Sequence, residues 1–230
     1  MNAQVFDVAH SEEEPTRTLL IVAERPKALV LLYPGGGGQL RLRDDGQTKS
    51  KHTFVRSVDQ WAQYHIDAVL VDTPYDLGDL KRGNFRGRRD HLQRVEEVIT
   101  FYKAKTKLPI WIFGHSMGTS TASHYVSESP QLAKLLAGVV VAGTVRSATL
   151  SDEVTLPVLA IHHRDDACGG TPISASRNLI EGRPEGLVSR FDIIEGGVSE
   201  GNVCDSFAYH GFNQTEGELI KRAAEFILAR

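Results

Sequence analysis

The sequence predicts an α/β fold built on an eight-stranded, mostly parallel sheet with helices on both faces. Three observations carry that prediction. From Ala28 onward, short apolar runs alternate with segments of helical period. The runs are apolar throughout rather than every second residue, which is how strands buried on both faces read. One run, Pro109 to Phe113, ends abruptly in Gly114-His115-Ser116-Met117-Gly118, a sharp strand-to-helix turn of the pattern G-x-S-x-G.

Taken in order, Val5 to Ala9 and Thr18 to Ala23 read as a pair of strands, expected to be antiparallel and joined through an acidic turn at Ser11 to Pro15. Ala28 to Tyr33 is a third strand and stops at Pro34 and four consecutive glycines, Gly35 to Gly38. A plain turn does not need four glycines. They suit either a flexible loop or one whose bare backbone closely approaches a reacting atom. Phe54, Val58, Trp61 and Ala62 have helical spacing over 54–65, and Asp67 to Asp72 follows as a strand. The loop from Asp76 to Arg89 holds Arg82, Arg86, Arg88 and Arg89. Such a charge run reads first as solvated surface and second as a contact for an anionic substrate. Leu92, Val95, Val98, Ile99 and Tyr102 mark an amphipathic helix leading to the serine strand. Beyond it lie strands at Gly138 to Thr144 and Pro157 to His162, a helix at Ile173 to Ile180, a strand at Leu187 to Ile194 and a closing helix around Leu219 to Ile227.

The 230 residues fit one domain, 1–230, long enough to bury roughly 70–75% of the unfolded surface. A net charge of −3 with 24% charged residues gives no field suited to nucleic acid or an anionic membrane. The longest apolar runs fall far short of a bilayer span, and Met1 to Asp7 has neither the basic nor the apolar region of a signal peptide. No H-E-x-x-H or C-x-x-C spacing occurs, which argues against a metal enzyme, and the reading calls for no cofactor.

The turn around Ser116 has a chemical rationale. A serine pushed out of a strained elbow needs a base, and the base needs an acid to hold its tautomer. Two loops downstream offer them: His162 to Cys168, ending the seventh strand, and Phe207 to Phe212, after the last strand. Ser116, Asp166 and His210 then stand in the order Ser, Asp, His.

On these residues the chain resembles the α/β-hydrolase family over nearly its whole length. The resemblance rests on Gly114 to Gly118, the Pro34 to Gly38 loop, Asp165-Asp166 and His210-Gly211-Phe212. It implies Ser116 as nucleophile, His210 as base and Asp166 as the acid, with Asp165 as the alternative. His163 stands where the family usually has a glycine three residues before the acid. It also implies an oxyanion hole from the Gly36 and Met117 N–H groups, although Pro34 replaces the family's usual His in that loop. Lids in the family are usually inserted after strand six, and Val145 to Leu156 leaves no room for one. The expected activity is hydrolysis of short or accessible carboxylic esters, a small-molecule substrate. Amide, peptide or thioester cleavage, or a non-catalytic binding role on the same fold, are the alternatives. Of the histidines, His115 is expected to pack locally, and His52, His65, His91 and His124 have no evident partner. If the triad forms, the acid and base loops meet, so Cys168 and Cys204 are expected to form a disulfide. Such a bond implies a periplasmic or secreted protein, and free thiols a cytoplasmic one.

Overall fold

The computed structural model describes residues 2–74 and 85–230. Eight strands form one sheet in the order β1-β2-β4-β3-β5-β6-β7-β8. Their ranges are β1 Asn2–His10, β2 Glu13–Val22, β3 Ala28–Tyr33, β4 Ile66–Val71, β5 Ile110–His115, β6 Gly138–Ala142, β7 Val158–His163 and β8 Ser189–Ile194. β1 and β2 pair antiparallel, as do β2 and β4, and every other pairing is parallel.

The helices are α1 Thr53–Ser57, α2 Arg89–Thr106, α3 Met117–Glu128, α4 Pro130–Ala133, α5 Ile173–Glu181 and α6 Glu216–Leu228. Alternate residues of each strand serve opposite layers. Leu29, Leu31, Ile110, Ile112, Val139 and Val141 pack with α2, α3 and α5. Val30, Leu32, Trp111, Phe113, Val140 and Ala142 pack with α1, α6 and Trp61. Both faces of the central strands are therefore dry, which is why their sequences show no polar alternation.

Two elements differ from the sequence reading. The turn of the first hairpin is only Ser11-Glu12, with Ser11 at φ 49°, and Glu13 to Pro15 already belong to β2. The register shifts between Val8 and His10, opposite Pro15, so the proline lies at a bulge where its missing donor is tolerated. The segment 54–65 is not one α-helix. α1 gives way at Ser57 to a 3₁₀ stretch, Val58–Tyr64, ended by His65 in the left-handed conformation. Buried Ser57 turns its hydroxyl back to the Thr53 carbonyl at 2.8 Å, a bond that competes with regular helix.

Candidate active site

The geometry around Ser116 follows from its two glycines. A Cβ on Gly114 would stand 2.1 Å from the Gly118 carbonyl oxygen, and one on Gly118 would stand 2.0 Å from that of Tyr33 on β3. Only bare backbone lets α3 start this close to the sheet. The turn holds Ser116 at φ 54°, ψ −122°, half-buried at the carboxyl end of β5, where ligands bind in open α/β sheets.

His210 and Asp166 meet it from the carboxyl-side loops of β8 and β7. His210 Nε2 lies 2.9 Å from Ser116 Oγ, and His210 Nδ1 lies 2.8 Å from Asp166 Oδ2. With Nδ1–H donating to the carboxylate, Nε2 presents its lone pair to the serine hydroxyl. His210 sits in a 3₁₀ turn, Tyr209–Gly211. Gly211 is required there, since a Cβ would come within 2.1 Å of the Ser206 oxygen.

Asp166 is enclosed by donors. Oδ1 accepts the Cys168 N–H at 2.9 Å. Oδ2 accepts from the Thr171 hydroxyl at 3.1 Å as well as from His210, and His162 Nε2 stands 3.3 Å away. Burial by itself would raise this carboxyl. The hydrogen bonds from His162 and His210 outweigh it and hold Asp166 well below the ordinary carboxylate range. Asp165, the alternative acid, is exposed, and its N–H donates to His163 Nδ1 at 3.1 Å.

Cys168 and Cys204 form a disulfide, with Cα atoms 4.8 Å apart, that ties the Asp166 loop to the segment leading to His210. Gly36 has φ 56° and open space where a side chain would be. Met117 begins α3, so its N–H has no intrahelical acceptor. The residues after Ala142 reach β7 at Val158 without forming a lid. Among the described residues no group of His, Cys, Asp or Glu is arranged to hold a metal ion, and no helix is long and apolar enough to cross a membrane.

The arginine-rich loop departs from the sequence reading. Arg88 and Arg89 lie at the surface, and Arg82 falls outside the described residues. Arg86 is fully buried rather than solvated. It donates to the Pro34 and Gly36 carbonyls at 2.9 and 2.7 Å and to Thr121 Oγ1 at 3.0 Å. Burial pushes its guanidinium down to about 9, still charged at neutral pH.

Sequence reasoning also missed the partners of the histidines. His52 Nε2 and His115 Nδ1 are 3.0 Å apart, and His115 Nε2 donates to the His210 carbonyl at 2.8 Å. Burial and the neighbouring His210 push His115 down to about 3, and His52 is held well below its usual value by burial and by His115. His91 meets Thr121 Oγ1 at 2.9 Å, His65 the Glu24 carbonyl at 2.7 Å and His124 the Glu128 carboxylate at 2.7 Å. None of these pairs has a short sequence spacing except His124–Glu128, one helical turn apart, which could have been found.

The sheet order, the elbow and the placement of the two loops define the α/β-hydrolase fold. No family model matches the sequence, and no curated protein matches it. Solved structures do. A dienelactone hydrolase from Anabaena variabilis superposes with a TM-score of 0.72 at 16% identity, covering 99% of this chain and 97% of its own. A lid-less α/β serine hydrolase from Xanthomonas campestris gives 0.69 at 11%, covering 99% and 94%. A thermostable carboxyl esterase from Bacillus coagulans gives 0.66 at 12%, covering 100% and 99%.

Proposed function

We propose that the protein hydrolyses carboxylic esters through an acyl-enzyme formed on Ser116. The observation that carries this reading is the unbroken chain Ser116 Oγ, His210, Asp166, linked at 2.9 and 2.8 Å. Ser116 Oγ attacks the acyl carbon as its proton passes to His210 Nε2, and the carbonyl electron pair moves onto oxygen. The N–H groups of Gly36 and Met117 receive that oxyanion, and two such donors lower the barrier by several kcal/mol. The intermediate collapses as His210 returns the proton to the departing alcohol. Water then repeats the sequence on the acyl-enzyme and releases the acid. Asp166 keeps the proton on His210 Nδ1 and stabilises the imidazolium as it forms.

The absence of a lid between β6 and β7 supports short or accessible esters as substrates. The likeness in fold to hydrolases and an esterase agrees with the reaction class. The test is turnover of p-nitrophenyl esters of graded acyl length beside matched anilides and thioesters, in the parent and in Ser116→Ala. Parent turnover of short esters that Ser116→Ala lacks is the expected result. No turnover of any of them, or equal turnover by Ser116→Ala, rejects the reading.

A further inference from the structure

The loop Pro34 to Gly38 carries almost no side chains, so its shape must be imposed by other elements. Arg86 holds it from one side, with Nη2 donating to the Pro34 and Gly36 carbonyls and Nη1 anchored on Thr121 of α3. Among the described residues no carboxylate neutralises this guanidinium. From the other side, the Gly35 N–H is directed at His52 Nε2 at 3.0 Å. A trans peptide points its C=O and N–H in opposite directions. The Pro34–Gly35 peptide is thus held at its oxygen by Arg86, and its hydrogen faces His52 Nε2, which accepts it when the ring carries its own hydrogen on Nδ1. The Gly35 carbonyl in turn accepts the Gly38 N–H at 3.0 Å, which turns the Gly36 N–H the opposite way.

We propose that Arg86 and His52 are positioning residues that pin the Pro34–Gly35 peptide and so aim the Gly36 N–H as an oxyanion donor. This rests on the ester-hydrolase reading above. His52 has competing duties that make the proposal testable. Its Nδ1 takes the Phe54 N–H at the start of α1 at 3.0 Å, and its Nε2 also faces His115 Nδ1. A neutral imidazole carries one hydrogen. On Nε2 it serves His115 while Phe54 bonds Nδ1; on Nδ1 it frees Nε2 for Gly35. One ring cannot satisfy all three. A glutamine here can accept from Gly35 with its carbonyl and donate to His115 with its amide, but it gives up the Phe54 cap.

The experiment compares His52→Gln and His52→Leu with the parent for kcat and KM on p-nitrophenyl acetate, for Tm, and for the amide resonances of Gly35 and Gly36. Removing an oxyanion donor typically lowers kcat by about 10²–10³, so displacing one should lower it about tenfold or more in His52→Leu, with KM little changed. His52→Gln should keep kcat within about threefold, by the same reasoning, while its Tm falls with the lost cap. Arg86→Lys, which reaches one carbonyl rather than two, should lower kcat and shift the same two resonances. If His52→Leu keeps the parental kcat, or both His52 variants lose activity only in step with Tm, the pin is wrong. A parent without turnover rejects the ester reading instead. The resonances then still decide: if they are unmoved in His52→Leu, the pin is overturned on its own evidence.

Discussion

At the scale of single residues, the candidate site makes sharp demands. Ser116→Ala should lower ester turnover by about a thousandfold or more, because a nucleophile acts as a unit with its base. Its Tm should stay near the parent's, since the half-exposed hydroxyl contributes little packing. The two neighbouring aspartates separate cleanly. Asp166→Asn should lose about 10²–10⁴ in kcat through the wrong His210 tautomer, as in other triads, whereas Asp165→Asn should change it only a few-fold. The opposite ranking in purified variants would move the acid to Asp165. The buried histidines predict a pH dependence of stability. His91 is held well below its ordinary value, first by burial and then by the charges of Arg86 and Arg94. Folded it stays neutral; unfolded it binds a proton below about pH 6.5. The unfolded state then holds more protons, so this group's contribution to stability is intact above that pH and is lost as pH falls. The loss approaches about 1.4 kcal/mol per pH unit at most. Urea titrations of His91→Gln at pH 7, 6 and 5 should show a shallower decline than the parent. Identical slopes would mean that His91 titrates in the fold.

Among elements, α1 does more than its five residues suggest. His52 at its start faces the glycine loop, while Thr53 Oγ1 and Arg56 both donate to the Gly211 carbonyl, beside His210. Arg56 also bonds Glu216 at the start of α6, at 2.6 Å. One short element thus braces the loops on either side of Ser116. The disulfide plays the matching part for the acid. Cys168 gives its N–H to Asp166 and its sulfur to Cys204, 36 residues away. Loop entropy for a bridge of this span corresponds to about 3–4 kcal/mol. Cys168→Ser with Cys204→Ser should lower stability by roughly that amount, by the same relation, and should lower kcat as Asp166 loosens. Thiol titration of the denatured, unreduced protein should find no free thiol; two per chain would refute the bridge. We further propose that the protein works in an oxidising compartment, where such bonds persist.

For the whole molecule, the lack of a lid between β6 and β7 predicts the substrate profile. Rates on p-nitrophenyl esters should fall as the acyl chain lengthens, and should not jump when substrate passes its critical micelle concentration. A rate that climbs steeply there would overturn this profile. Much of this architecture was legible in the chain. β3 and β5 stood out because strands dry on both faces are apolar throughout, and Gly114 and Gly118 because their positions exclude any side chain. The acid and base stood out by chain order. The pairing of His52 with His115 was not legible, since contacts across 63 residues have no period to read. Arg86 misled for a different reason. Its neighbours Arg88 and Arg89 lie at the surface, and the carbonyls of a distant loop together with the Thr121 hydroxyl make its burial tolerable.

The bridge between Cys168 and Cys204 also bears on the order in which the molecule assembles. His210 must find Asp166 across 44 residues and Ser116 across 94, so the proposed turnover depends on contacts between segments far apart in the chain. Such contacts are slow to form because loop closure precedes their reward. During refolding, far-UV circular dichroism should therefore recover before ester turnover, leaving a measurable lag. An oxidised denatured chain already holds the acid and base segments together, which shortens the search between them. The lag should be shorter when refolding starts from the oxidised chain than from the reduced one.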